Sequence, residues 1–287
     1  MNLLVDIGNA RIKWGLQDGD SWTDGEAQLR KGRAFKDIAR PIWKDLVQPE
    51  RVIVSNVAGR EYEKSVQTWI KRRWKVVPEF LRSQASLCGV TNAYQVPERL
   101  GADRWANLIA AHAYYPGPAV IIDCGTAITI DALDAAGRHL GGLIVPGMDL
   151  MSAALVGNAA GIELNEPGSQ SVSLLGSSTE SAVAGGVLYT AVALVDRVQH
   201  GLADQMGTNC QTLQVVVVQQ FALPGTITLV QQRLIDLEMV SPASQFDAIV
   251  AKLFGYPCHF FDFQVRPLAG EHRDRSRHVI LLVRYYL

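Results

Sequence analysis

Charge of a preferred sign is missing from this 287-residue chain: 27 lysines and arginines meet 28 aspartates and glutamates, for a net of −1. No global field therefore draws in nucleic acid or a membrane surface. The basic cluster Arg266 to Arg277 is interspersed with acids and reads as solvated surface. Cysteine is scarce. Cys88, Cys124, Cys210 and Cys258 form no CxxC pair and no Cys/His cluster with zinc spacing, so reduced, buried thiols in a reducing cytosol are expected. Long apolar runs are absent too, none reaching the roughly 20 residues of a membrane span. The longest candidate, Ser181 to Leu202, contains Asp196, Arg197, Gln199 and His200 and reads as a core helix. The opening Leu3, Leu4, Val5, Asp6 has neither the basic start nor the cleavage site of a signal peptide. A soluble, cytoplasmic protein is expected, without nucleic-acid or membrane partners. What is present is 48% hydrophobic residues, enough to bury one large core or two medium ones.

Short apolar runs alternate with helical spacing. Leu3–Val5 and Ile12–Leu16 predict a strand pair closed by the Asp18-Gly19 turn. Phe35 to Val47 predicts a helix that Pro41 interrupts or kinks. Val52–Val54 predicts a strand, and Glu61 to Arg73 a helix. Val120–Ile122 and Ala127–Leu133 predict strands, followed by a glycine-rich bend and the strand Leu143–Val145. Met148 to Val156 and Glu180 to Gln205 predict helices, with a last strand at Leu213–Val218. This alternation indicates an α/β fold with mixed sheets. Asp6-Ile7-Gly8-Asn9 and Asp123-Cys124-Gly125-Thr126 each end a strand and lead into another. The repeat predicts an internal duplication, two similar halves facing each other across a cleft.

Such hairpins suit phosphate. Glycine at the bend lets backbone N–H groups approach an anion, a role open to Gly8 and Gly125, with Asn9 and Thr126 adding side-chain contacts. Asp6 would hold Mg²⁺ through water, because Mg²⁺ keeps much of its hydration. Lys13 would reach a nucleotide phosphate as a mobile point charge. The plainer alternative is that both aspartates cap turns. A second group is Tyr94 with Gly101-Ala102-Asp103-Arg104, placed at a helix start by the apolar pattern Trp105, Leu108, Ile109, Ala113. Asp103 is either an ordinary helix cap or a base that accepts a substrate hydroxyl proton while Arg104 binds an anionic substrate. The residues alone leave both open.

Asp6 to Lys13, Gly101 to Arg104, Asp123 to Ala127 and Ser178-Thr179-Glu180-Ser181-Ala182 occur in an order that resembles type III pantothenate kinases, the family that includes the Bvg accessory factor proteins. The resemblance spans about residues 1 to 218. It implies an actin-like ATPase fold of duplicated ribonuclease-H-like halves, residues 1–118 and 119–218, and phosphorylation of pantothenate by ATP to 4′-phosphopantothenate, the first step towards coenzyme A. It implies that Asp6, Ile7, Gly8, Asn9, Ala10, Arg11, Ile12, Lys13 and Thr126 bind ATP. Tyr94, Gly101, Ala102, Asp103, Arg104 and Thr179 would bind pantothenate, with Asp103 as catalytic base. Asp123 would coordinate K⁺ or NH₄⁺, and the protein would be a homodimer with Thr179 at its interface.

Two departures stand out. Ala10 replaces the usual Ser or Thr, which removes one phosphate-facing hydroxyl. After Val218 the usual Thr-Gly-Gly is replaced by Gln219-Gln220-Phe221, and residues 219–287 have no counterpart of the family's closing helices. Gly255 to Cys258 and Glu271 to His278 read as irregular, and the chain ends in the apolar run Val279–Leu287. A shift of reading frame near Val218 would produce such an atypical, poorly ordered tail; plain divergence is the alternative. A catalytically impaired or regulatory member of the family is the second functional reading, and a sugar or acyl-phosphate kinase on the same fold the third.

Overall fold

Leu3, Leu4 and Val5 are all buried, as a strand covered on both faces requires. They form the middle of β1 (Asn2–Ile7), the central strand of the first sheet. The computed structural model describes residues 1–19, 21–115, 117–162, 164, 175–206, 214–219 and 279–281. They divide into two compact units, the first from Met1 to Tyr114 and the second from Tyr115 onward.

In the first unit β1 pairs antiparallel with β2 (Arg11–Asp18), which pairs in turn with β3 (Ser21–Asp24) and the short β4 (Gln28–Leu29). Helix α1 (Phe35–Ile42) follows. It stops one residue after Pro41, which removes a helix donor, and so falls short of the expected Val47. On the other side β1 pairs parallel with β5 (Arg51–Asn56). Helix α2 (Arg60–Trp74) then leads to β6 (Glu79–Phe80), parallel to β5. A small hairpin, β7 (Ser86–Leu87) and β8 (Val90–Thr91), precedes helix α3 (Ala102–Tyr114). The hairpin turn is Cys88-Gly89, both at positive φ, which leaves Cys88 exposed rather than buried as expected. The core under α1 and α2 is aromatic: Phe35, Trp43 and Trp74 are almost fully buried. Trp69 meets Trp74 edge-on with ring centres 5.3 Å apart.

The second unit repeats this wiring. All six residues of β9 (Ala119–Cys124) are buried. Antiparallel to it lies β10 (Ala127–Leu133), and antiparallel to that β11 (His139–Pro146). The expected glycine bend is not a bend: Gly141 and Gly142 lie inside β11, and the turn is made by Asp134–Gly137. Helices α4 (Met148–Asn158) and α5 (Thr179–Gln205) follow. Then β12 (Gln214–Gln219) joins β9 in parallel, and β13 (Val279–Leu281) joins β12 in parallel. The sheet orders are β3-β2-β1-β5-β6 and β11-β10-β9-β12-β13, each with two antiparallel pairings followed by two parallel ones. This is the duplicated actin-like ATPase fold.

Helix α5 alone is long and apolar enough to cross a membrane by length and composition, among the described residues. That corrects the expectation that no stretch would qualify. Ala191 and Val195 on this helix nevertheless pack into the core with Val120, Ile122, Ile128 and Ile130. Cys210, Cys258, Leu213 and most of 219–287 lie outside the described residues.

Candidate active site

In the first unit, β1 delivers Asp6 to its C-terminal end and the chain turns back at once. Gly8 N–H donates to the Arg11 carbonyl at 3.0 Å, closing a hairpin whose tip exposes Asn9. Asp6 is 2% exposed. Its partner across the hairpin is Lys13, whose Nζ stands 3.9 Å from Asp6 Oδ2. Lys13 is therefore a mostly buried strand residue held against Asp6, not the mobile charge expected from sequence. On the other side the register partner of Asp6 is Ser55 of β5. Asp6 Oδ1 and Ser55 Oγ are both buried and make no hydrogen bond among the described residues. Buried oxygens left unsatisfied cost free energy unless something fills their coordination. The carboxylate and hydroxyl are oxygen donors of the type that hard cations such as Mg²⁺ take.

Arg30 was not singled out by sequence. Its Nε donates to Gly8 O at 2.9 Å and its Nη2 to Asn9 O at 2.6 Å, while its backbone N–H donates to Ala10 O at 2.8 Å. Nothing in residue spacing marks a contact that spans about twenty positions and ends on backbone atoms.

Asp103 stands in the first turn of α3. Gly101, not Asp103, is the capping residue, because Trp105 N–H bonds Gly101 O at 2.9 Å. The Asp103 carboxylate accepts the adjacent Arg104 N–H at 2.7 Å. Burial raises its pKa, and the charge of Asp6 raises it further. A Cβ at Gly101 would lie 2.5 Å from Asp103 Oδ1, so the glycine makes room for the acid. Arg104 is buried, donates from Nη1 to Tyr94 Oη at 2.9 Å and stands 5.7 Å from that ring's centre. Tyr94 is placed by Asn92, whose Oδ1 accepts the Tyr94 N–H at 2.9 Å and whose Nδ2 reaches Gln84 O and Pro97 O. Sequence reading missed Asn92; an Asn two residues before Tyr94, able to form an Asx-turn, was its one signal. The first unit thus brings Asp6, Lys13 and Asp103 into electrostatic contact and joins Tyr94 to Arg104.

In the second unit Asp123 is the penultimate residue of β9 and is 5% exposed. Gly125 N–H bonds Ala127 O at 2.9 Å, and Thr126 projects from the tip into solvent. Burial, helped by Asp123, pushes the Cys124 thiol up to about 12, so it stays protonated. The loop rests on Gly147: Gly147 N–H bonds Thr126 O at 2.8 Å, and a Cβ there would fall 2.1 Å from Gly125 O. Thr179 is exposed at the start of α5. Neighbouring Ser178 and Ser181 form a reciprocal capping box, which accounts for those two serines structurally. Among the described residues no cluster of three or more His, Cys, Asp or Glu is placed to hold a metal.

The profile of the type III pantothenate kinase family matches residues 2–200. The type III pantothenate kinase of Nitrosococcus oceani is 43% identical over 211 residues, covering 72% of this chain and 79% of that protein. That of Halorhodospira halophila is 39% identical over 215 residues, covering 73% and 82%. The chain belongs to the type III pantothenate kinase family. Among solved structures, a Bacteroides thetaiotaomicron protein described as having an actin-like ATPase fold and unknown function covers 88% of this chain and 87% of its own, at 6% identity and a TM-score of 0.39. That likeness is loose, and the fold is read from the strand order of the two sheets. In this type III pantothenate kinase the matched stretch contains every candidate site residue and ends before β12.

Proposed function

We propose that this family member transfers the terminal phosphoryl group of ATP to the primary hydroxyl of pantothenate, giving 4′-phosphopantothenate and ADP. One observation carries the reading: a carboxyl with raised pKa, Asp103, under the charge of Asp6 at the end of a glycine hairpin. Phosphoryl transfer asks chiefly for positioning and charge neutralisation, with a carboxylate beside the nucleophile. Raising the Asp103 pKa makes it a stronger base for the hydroxyl proton, which moves to its carboxylate as the oxygen–phosphorus bond forms. The segment Asp6 to Lys13 and Thr126 bind ATP. Gly101 to Arg104, Tyr94 and Thr179 bind pantothenate, and Arg104 offers its carboxylate a guanidinium already oriented by Tyr94. Asp6, with Ser55 beside it, would hold Mg²⁺ through water, supplying charge neutralisation at the phosphates. Asp123, a buried carboxylate, suits a monovalent cation, K⁺ or NH₄⁺.

A homodimer is supported by the second unit's surface. Helix α4 has no buried residue, and Leu143, Ile144, Leu150, Leu155 and Val156 are each at least 39% exposed. Apolar surface of this kind marks a protein interface.

The second reading, an impaired or regulatory member, is favoured by Gln219-Gln220-Phe221 in place of Thr-Gly-Gly. A coupled ADP-release assay with pantothenate, K⁺ and Mg²⁺ separates the two. Pantothenate-dependent ADP release is expected; a folded protein that releases none leaves the regulatory reading standing.

A further inference from the structure

We infer that Arg30, seated on Tyr62, is the positioning residue of the first phosphate loop, fixing the amides of Asn9, Ala10 and Arg11 for a nucleotide phosphate. The inference rests on the assignment of that loop to ATP. In a trans peptide the carbonyl and the following N–H point in opposite directions within one plane. The carbonyls of Gly8, Asn9 and Ala10 belong to the peptides whose N–H groups are those of Asn9, Ala10 and Arg11. Arg30 takes all three carbonyls, two with its side chain and one with its backbone N–H. Pinning three successive carbonyls on one side aims three successive amides at the other. A planar fork with fixed donors suits two adjacent carbonyls, whereas a lysine offers a single point charge.

The guanidinium is itself held. Its carbon lies 4.8 Å from the centre of the Tyr62 ring on α2, a cation–π distance. The Tyr62 hydroxyl is buried with no hydrogen-bond partner among the described residues, so the ring and not the hydroxyl supports Arg30. The neighbouring pairing of Arg11 with Leu29 and Ile12 with Gln28 brings the Arg30 backbone alongside the loop. Ala10 adds no side-chain donor of its own, so at this position the loop offers a phosphate its amides, and what orients them matters the more.

The test uses the full-length protein and a non-hydrolysable ATP analogue in calorimetric titrations, with amide hydrogen exchange at residues 9–11 of the analogue-bound protein. Arg30→Ala is expected to weaken the analogue about tenfold or more, the loss of roughly two net hydrogen bonds, and to speed exchange at those amides. KM for pantothenate should stay within about twofold, far below a tenfold step. Guanidinium ion in the buffer should restore part of the affinity, and Arg30→Lys should restore little. Tyr62→Leu should show a smaller loss of the same kind. Wild-type affinity and unchanged exchange in Arg30→Ala overturn the proposal, as does full function in Arg30→Lys. Should Arg30→Ala fail to fold, Arg30→Lys decides alone. Gly8→Val separates this from the loop assignment. If Gly8→Val loses the analogue and Arg30→Ala does not, only the role of Arg30 falls; if Gly8→Val binds normally, the assignment of the loop itself falls.

Discussion

Burial of the Asp103 carboxyl raises its pKa above the ordinary aspartate range, and the charge of Asp6 pushes the same way. A base must be ionised to take a proton, so turnover should fall as pH drops through this raised value. The acid limb of the kcat profile then sits at higher pH than a free aspartate would give. Stability runs the other way. With the folded pKa above the unfolded one, this group's contribution is fully present below the unfolded pKa and is lost as pH rises through the folded pKa. Asp103→Asn removes that penalty. At neutral pH the variant should melt at the wild-type temperature or above it, while kcat falls by about two orders of magnitude or more. Near-normal turnover would remove Asp103 from the mechanism. Gly101→Ala attacks the same group indirectly, since its Cβ would stand 2.5 Å from Asp103 Oδ1. Displacing the acid should lower kcat by up to about 100-fold with ATP affinity nearly unchanged. An equal loss in ATP affinity would mean that the glycine serves the fold and not the base.

Loops between elements hold the site, and each hairpin has a brace supplied from elsewhere in its own unit: Arg30 for the first and Gly147 for the second. Gly147 has φ −67°, open to any residue, so space and not backbone freedom requires glycine there. Gly147→Ala should force either the Gly125 carbonyl or the start of α4 to move, at a cost of about 1–3 kcal/mol. Urea denaturation measures that cost, and a variant as stable as wild type would show that the loop yields freely. Neither brace was legible in the sequence. Most of the longer strands and helices were, β3 excepted, because Leu3–Val5, Val52–Val54 and Val120–Ile122 carry uninterrupted apolar side chains and α2 and α5 carry helical spacing over many turns. The two-residue strands β4, β6, β7 and β8 were not, since two residues set no period and their pairing partners decide them. Gly141-Gly142 misled for a related reason: glycine signals a bend locally, but the pairing of β10 with β11 extends through both. Asp103 was legible as a helix-start residue and, through the family resemblance alone, as a base; its burial and the charge of Asp6, which lies 97 residues away in sequence, come only with the fold.

Two copies of one strand order run through the described residues, and they differ most in the length of chain before the fifth strand. In the first unit α2 carries the chain from β5 to β6 within 22 residues, Val57 to Pro78. In the second, β13 lies 59 residues beyond β12, past the end of the family match at residue 200. The exposed apolar side chains of β11 and α4 belong to the matched part and predict self-association. Light scattering should report a dimer, Ile144→Glu should shift it towards monomer, and a wild-type monomer at micromolar concentration would contradict the assignment. The tail tests the molecule differently. The sequence after Val218 is Gln219-Gln220-Phe221, where the family resemblance implies Thr-Gly-Gly, and glycines in place of bulky side chains would let a nucleotide come closer. If a displaced reading frame produced the tail, the neighbouring frame of the gene encodes a glycine pair just after Val218. Restoring that frame should then strengthen ATP-analogue binding by about tenfold or more, a step of at least 1.4 kcal/mol. Resequencing that finds one unbroken frame, with no glycine pair in either alternative frame, rules the displacement out. The measured ATP affinity would then be the native property of a diverged chain.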